Sequence, residues 1–295
     1  MRVRLVPGLG TLAARYDAFI LDLWGVIHDG VAPLPGALDC LARLKAAGKG
    51  ILFLSNAPRR ADDVVRRITR IGVDPALYDQ VFSSGEEAWQ CLFRRDDPFY
   101  ARLGRRCLHI GSERDREIRE GLDLDFVERP EEADFILNTG PAGWHDRVAE
   151  YEEVLRRALF RNLPMVCANP DLVVRHGEEL ALCAGALAER YEALGGLVRW
   201  HGKPYPSVYE TSIRLLGIED RSRVLAVGDS VRTDIAGAEG ARIPSLLVAS
   251  GIHAKEWGAA GEGALDLEAI RAALASARSR GEPYRPVGIA RRFSW

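Results

Sequence analysis

Two apolar runs separated by one helix-length segment constrain the fold of this 295-residue chain more than any other feature. Ala18–Leu23 and Gly50–Ser55 are short, almost continuously hydrophobic and followed by turn residues, the pattern of strands buried on both faces. Between them Pro35–Gly48 opens on Pro and closes on Gly, the start and stop of a helix. Beyond them Arg60–Ile71 is amphipathic and ends at Gly72. Strands alternating with helices imply a parallel sheet with right-handed crossovers, because parallel neighbours cannot be joined by a tight turn.

A second alternation runs from Ser84 to Gly196, with strands expected at Cys107–Ile110, Phe135–Leu137 and Met165–Ala168 and helices at Arg147–Arg161 and Ala186–Leu194. The first rhythm then resumes with a helix at Ser207–Gly217, a strand at Val224–Val227, a helix near Thr233–Ala241 and a strand at Ser245–Val248. The expected organisation is an α/β protein: a Rossmann-like core from residues 1–83 and 197–295, with helices on both faces of its sheet, and an α/β domain of residues 84–196 inserted between its halves. The tail Pro283–Trp295 has no periodicity and is expected to dock as an irregular segment.

Composition narrows the partners. A net charge of −2 carries no electrostatic footprint for nucleic acid. No apolar run approaches the roughly 18 residues that a bilayer requires, and Met1–Gly8 lacks the features of a signal peptide. Cys40, Cys91, Cys107, Cys167 and Cys183 form no C-x-x-C pair and read as reduced thiols, so a cytoplasmic protein is expected. Of the 40 basic residues only Lys45, Lys49, Lys203 and Lys255 are lysines.

Four signatures fall at strand ends or beside them: Asp22-Leu-Trp-Gly-Val26, Leu54-Ser-Asn-Ala-Pro58, Gly202-Lys-Pro204 and Gly228-Asp-Ser-Val-Arg-Thr-Asp234. In an open α/β sheet the C-terminal ends of the strands line one crevice, so distant segments converge there. Each signature has a task if the ligand is a phosphate with a divalent metal. Asp22 is a carboxylate nucleophile for phosphorus, splitting hydrolysis into two easier steps. The Ser55 hydroxyl holds phosphoryl oxygens, and Lys203 offsets their growing negative charge. Asp229 and Asp234 are hard oxygen ligands suited to Mg²⁺. Taken singly, each is also a turn or a helix cap; the order and the strand-end placement favour the joint reading.

With these motifs, and with Pro35-Gly-Ala37 and Ala168-Asn-Pro-Asp171, the chain resembles the haloacid dehalogenase-like hydrolase superfamily, class IIA, the NagD-like phosphatases. The resemblance covers nearly the whole chain. It implies Asp22 as nucleophile, Ser55 and Asn56 as phosphate-binding residues, Lys203 as catalytic and phosphate-binding, and Asp229 with Asp234 as Mg²⁺ ligands. It also implies that the inserted domain is a C2-type cap, that the substrate is a small phosphorylated metabolite, and that a homodimer is the plausible assembly.

Trp24 departs from that pattern. In the phosphatases a second Asp, two residues after the nucleophile, protonates the leaving alkoxide and then activates water. Trp has no proton of suitable pKa, so acid–base help worth about 10²–10⁴-fold is missing from this position. The metal contact there is a backbone carbonyl, which Trp24 still supplies. His28 and Asp29 are the candidate substitutes for the missing acid. Two alternatives follow from Trp24. One is a very slow or non-catalytic phosphometabolite-binding relative; the other is dehalogenase-like hydrolysis, whose halide leaving group needs no proton. In the inserted domain, Asn169 after its strand reads either as a substrate contact or as part of a Pro-anchored turn, and Phe135–His145 as a substrate-facing loop.

Overall fold

A computed structural model describes residues 4–176, 179–261, 263–279 and 282–295. Of the N-terminal stretch Met1–Gly8, residues 1–3 lie outside the described residues. The chain divides into two compact units. One takes Met1–Ser55, Val65–Phe82 and Lys203–Trp295; the other takes Asn56–Val64 and Ser83–Gly202.

The first unit is built on a seven-stranded sheet in the spatial order Leu5–Val6, Gly288–Ala290, Ser245–Val248, Val224–Gly228, Ala18–Leu21, Gly50–Ser55 and Gln80–Ser83. Ala18–Leu21 pairs in parallel with Val224–Gly228 on one side and Gly50–Ser55 on the other. All four of its residues are buried, as a central strand covered on both faces demands. Side chains alternate across it. Ala18 and Ile20 join Leu52, Leu54, Val224 and Ala226 in a cluster closed by Val208 and Ile213 of the helix Pro206–Leu216. Phe19, Leu21 and Phe53 point to the other face and are equally buried.

The tail corrects the expectation of an irregular segment. Gly288–Ala290 is a strand, parallel to both Leu5–Val6 and Ser245–Val248. Three residues beside a Pro carry too short a pattern to read; pairing with two distant segments decides their state. Trp295 then lies against the first helical turn, where a side chain on Gly8 or Gly10 would overlap it.

The second unit has its own parallel sheet, in the order Val198–Trp200, Met165–Cys167, Phe135–Asn138, Arg106–Ile110 and Asp125–Val127. Apolar clusters cover both faces, one around Leu155, Met165 and Tyr191, the other around Leu92, Tyr100 and Phe135. The expected limits of 84 and 196 shift here. Residues 197–202 belong to the second unit because Val198–Trp200 pairs with Met165–Cys167, and residues 56–64 belong to it as well. The expected helix Arg147–Arg161 starts as a 3₁₀ turn, Val148–Tyr151, before α-helix Glu152–Phe160. No helix among the described residues is long and apolar enough to cross a membrane.

Candidate active site

Register brings three loops to one edge of the first sheet. Leu21 is paired with Val227 and with Phe53, so the next residues along, Asp22, Gly228–Asp229 and Leu54–Ser55, come side by side at the C-terminal ends of the three strands. The Asp22 amide still donates to Val227 O at 2.9 Å, which holds the carboxylate-bearing residue in line with its strand. Ser55 is half-buried at the same edge.

Lys203 closes the group. Its ammonium donates to Asp22 Oδ1 and, at 2.7 Å, to Asp234 Oδ1. Only 3 % of the residue is exposed. Burial alone would discharge it, but the carboxylates of Asp22 and Asp234 outweigh that cost and hold its pKa well above the ordinary lysine value. Asp234 rides on a π-turn, Val231–Ile235, a widened turn that recurs at functional sites. Its Oδ2 accepts the Ser230 amide at 3.1 Å.

Asp229 is the third carboxylate. Oδ2 accepts the Ile252 amide at 2.6 Å. Burial, and then the charges of Asp22 and Asp234, push its carboxyl well above the usual range. Ligand oxygens of Asp22, Asp229 and Asp234 lie within 4.8 Å of one another. The unfavourable ionisation of Asp229 beside Asp22 and Asp234, with only one ammonium among them, is what a divalent cation would relieve, and an all-oxygen donor set suits Mg²⁺. Glycines make the space. A Cβ on Gly25 or Gly251 would overlap the Asp229 carboxylate, and one on Gly228 would overlap that of Asp234.

Trp24 is 36 % exposed and turns its ring onto its own loop, over Gly30, where a Cβ would overlap it. The two candidate acids are otherwise engaged. His28 is buried, its Nδ1 accepts the Gly30 amide at 3.0 Å, and burial holds its pKa down to about 4 against the opposing pull of Asp29. It is therefore uncharged at neutral pH. Asp29 Oδ1 accepts the amides of Val31 and Ala32, each at 2.9 Å, and these bonds hold its pKa below the ordinary value. Both residues shape the loop.

Asn56 and Asn169 belong to the second unit and meet there around Asp171, the last residue of the Ala168-Asn-Pro-Asp171 motif. Asn56 Nδ2 donates to Asp171 Oδ1 at 2.9 Å, and Asn169 Oδ1 accepts the Asp171 amide at 2.9 Å. The second bond closes the turn around Pro170. The same unit holds a buried relay with no warning in the sequence: Glu87 Oε2 accepts from His201 Nδ1 at 2.9 Å and from the Gly202 amide at 3.1 Å, while His201 Nε2 bonds Tyr100 Oη.

Known proteins share this frame. A family model of haloacid dehalogenase-like hydrolases matches residues 19–125, and a HAD-hydrolase-like model matches residues 200–273. A solved haloacid dehalogenase-like hydrolase from Brucella suis is 34 % identical, with a TM-score of 0.83 covering 98 % of this chain and 100 % of that one. The chain belongs to the haloacid dehalogenase-like hydrolase family. Two phosphatases illustrate its class IIA relatives. Ribonucleotide monophosphatase NagD of Escherichia coli is 27 % identical over 79 % of this chain and 87 % of its own length. The D-glycerol 3-phosphate phosphatase of Mycobacterium tuberculosis is 27 % identical over 82 % of this chain; the match spans 65 % of that relative, just under two thirds. A glycerol phosphate phosphatase structure from that organism in complex with magnesium is 28 % identical, with a TM-score of 0.63 covering 82 % of this chain and 70 % of that one.

Proposed function

We propose that this haloacid dehalogenase-like hydrolase is a Mg²⁺-dependent phosphatase for a small phosphorylated metabolite, working through an aspartyl-phosphate on Asp22. The observation that carries the reading is the Lys203 ammonium shared between Asp22 and Asp234, with Asp229 beside them. Asp22, Asp229, Asp234 and the Trp24 carbonyl would hold the metal, which when bound neutralises phosphoryl oxygens facing an anionic nucleophile.

The chain's own groups account for the rest. Asp22 Oδ attacks phosphorus, a new P–O bond forms and the ester P–O bond breaks, releasing the alcohol or phenol oxygen with its electron pair. Water then attacks the phosphorus, the Asp22 O–P bond breaks and Asp22 is regenerated as a carboxylate; the water's protons leave with inorganic phosphate, and through solvent one of them reaches the released alkoxide or phenoxide. Lys203 offsets charge on the transferring group and keeps Asp22 oriented. Ser55 and Asn56 complete the phosphate cradle. Residues 83–202, with the turn at Asn169, act as the cap that selects the substrate. With Trp24 at the position of the second acid, and His28 and Asp29 engaged in their own loop, leaving groups of low pKa are preferred.

The unpaired state of all five cysteines suits a reducing cytoplasm. The assembly expected by analogy is a homodimer, read by sedimentation of the same preparation. A screen with Mg²⁺ on aryl, acyl and alkyl phosphates, with Asp22→Asn as control, tests the reading. Turnover of aryl or acyl phosphates that Asp22→Asn abolishes supports it; no turnover on any ester sinks it. The second reading, a phosphometabolite binder without turnover, is favoured by Trp24 and by the engagement of His28 and Asp29. Tight phosphate-ester binding with no product would establish it. Dehalogenation has less in its favour, since halide displacement does not require three clustered carboxylates.

A further inference from the structure

Asp234 is gripped at both ends by one segment of chain. Lys203 Nζ holds its carboxylate, and six positions on, the Tyr209 hydroxyl donates to its backbone carbonyl at 3.1 Å. Tyr209 is 1 % exposed, in the helix Pro206–Leu216. Its ring lies along a small cavity whose other walls are the aliphatic Ile20, Leu54, Ala226 and Val227 and the charged site itself. The Asp234 carbonyl gives the buried phenol hydroxyl an acceptor there. The approach also depends on the opposite element. A Cβ on Gly237, in the helix Ala236–Gly240, would overlap the edge and hydroxyl of the Tyr209 ring.

The turn that carries Asp234 is a widened one. Ser230 O accepts both the Asp234 amide at 3.0 Å and the Ile235 amide at 3.1 Å, so one carbonyl serves two donors in a widened turn. The Tyr209 hydroxyl and the Lys203 ammonium, both from the segment 203–209, add a bond at the Asp234 backbone and one at its carboxylate.

We propose that Tyr209 is a positioning residue for the carboxylate cluster: its hydroxyl, admitted by the glycine at 237, sets the Asp234 carboxylate where it can join Asp22 and Asp229 in binding a divalent cation. The proposal rests on the metal-dependent reading above. Groups that orient a metal's carboxylate ligands typically matter about 10–100-fold in metal affinity or activity. A tyrosine that merely fills the core would affect stability and leave metal affinity unchanged.

The test is a Mn²⁺ titration of the chelator-treated full chain by electron paramagnetic resonance, without substrate, for wild type, Tyr209→Phe and Gly237→Ala. Phe keeps the ring and removes the hydroxyl; Ala keeps the hydroxyl and blocks its path. The expected result is roughly tenfold weaker Mn²⁺ binding in both variants, each still melting cooperatively by circular dichroism. Unchanged Mn²⁺ affinity in Tyr209→Phe overturns the proposal, whatever Gly237→Ala does. A wild-type protein that binds no Mn²⁺ overturns the metal reading and this proposal together. Wild-type binding with an unaffected Tyr209→Phe removes only the role of Tyr209.

Discussion

Trp24 meets His28 edge to face, with ring centroids 5.4 Å apart and planes 74° apart. The two residues also form a β-bridge, and the Gly25 amide donates to His28 O at 2.9 Å. The indole is thus part of a closed loop, packed on an imidazole that burial keeps uncharged. Two positions after Asp22, the proposed nucleophile, the side chain packs on its own loop. The consequences concern proton transfer, charge balance and pH.

Trp24→Asp is expected to raise turnover of alkyl phosphates by about 10²–10⁴-fold relative to wild type, the usual worth of a positioned general acid. Aryl phosphates should gain far less, because a phenolate leaves without help. Parallel steady-state assays on one aryl and one alkyl ester measure the ratio; equal gains on both would contradict the missing-acid account.

Lys203→Met removes the only ammonium bonded to Asp22 and Asp234 among the described residues. Breaking a buried ion pair from one side costs about 3–5 kcal/mol, because the remaining charges keep their desolvation penalty. Urea unfolding should show that loss in metal-free protein and a smaller loss with saturating Mg²⁺, which stands in for part of the missing positive charge. Equal losses with and without Mg²⁺ would argue that the carboxylates do not hold the ion.

Gly251→Ala places a methyl group into the Asp229 carboxylate. Overpacking of this kind costs about 1–3 kcal/mol. The stronger effect should be on Mg²⁺ activation, with the half-saturating concentration rising by more than about tenfold as Asp229 is displaced. Activity as a function of Mg²⁺, alongside thermal melting, separates the two effects.

His28 sets a pH slope. Its folded pKa is held at about 4 against an ordinary 6.5, so below pH 6.5 the unfolded chain takes up a proton that the folded protein refuses. Stability from neutral His28 is therefore fully present above pH 6.5 and is lost as pH falls toward 4, a loss of roughly 3 kcal/mol across that window. His28→Asn should flatten the stability profile between pH 6.5 and 4 relative to wild type. His109, half-buried and held at about 3, contributes a slope of its own to both proteins, so the difference between them is the quantity to read.

Much of the fold was legible because a buried central strand writes itself as an apolar run. Gly50–Ser55 and Ser245–Val248 have the bounds that their composition announces. Gly288–Ala290 was not legible, since its partners Leu5–Val6 and Ser245–Val248 are far away in sequence. The place of Val198–Trp200 was hidden for the same reason: the sequence put it with residues 197–295, and its pairing with Met165–Cys167 joins it to the second unit.

By itself the sequence determined which residue types stand at strand ends: Asp22, Ser55 and Asp229 follow apolar runs, and Asp234 follows Asp229 within one turn. Periodicity and turn chemistry are local, so they survive in a linear reading. Only the tertiary structure decided what those residues touch. It joined Lys203 to Asp22 across 181 positions and put Tyr209 on the Asp234 carbonyl. It spent His28 and Asp29 on their own loop and left glycines where the carboxylates needed room. Charge balance and close packing depend on distances between segments, and those distances exist only once the sheet has assembled.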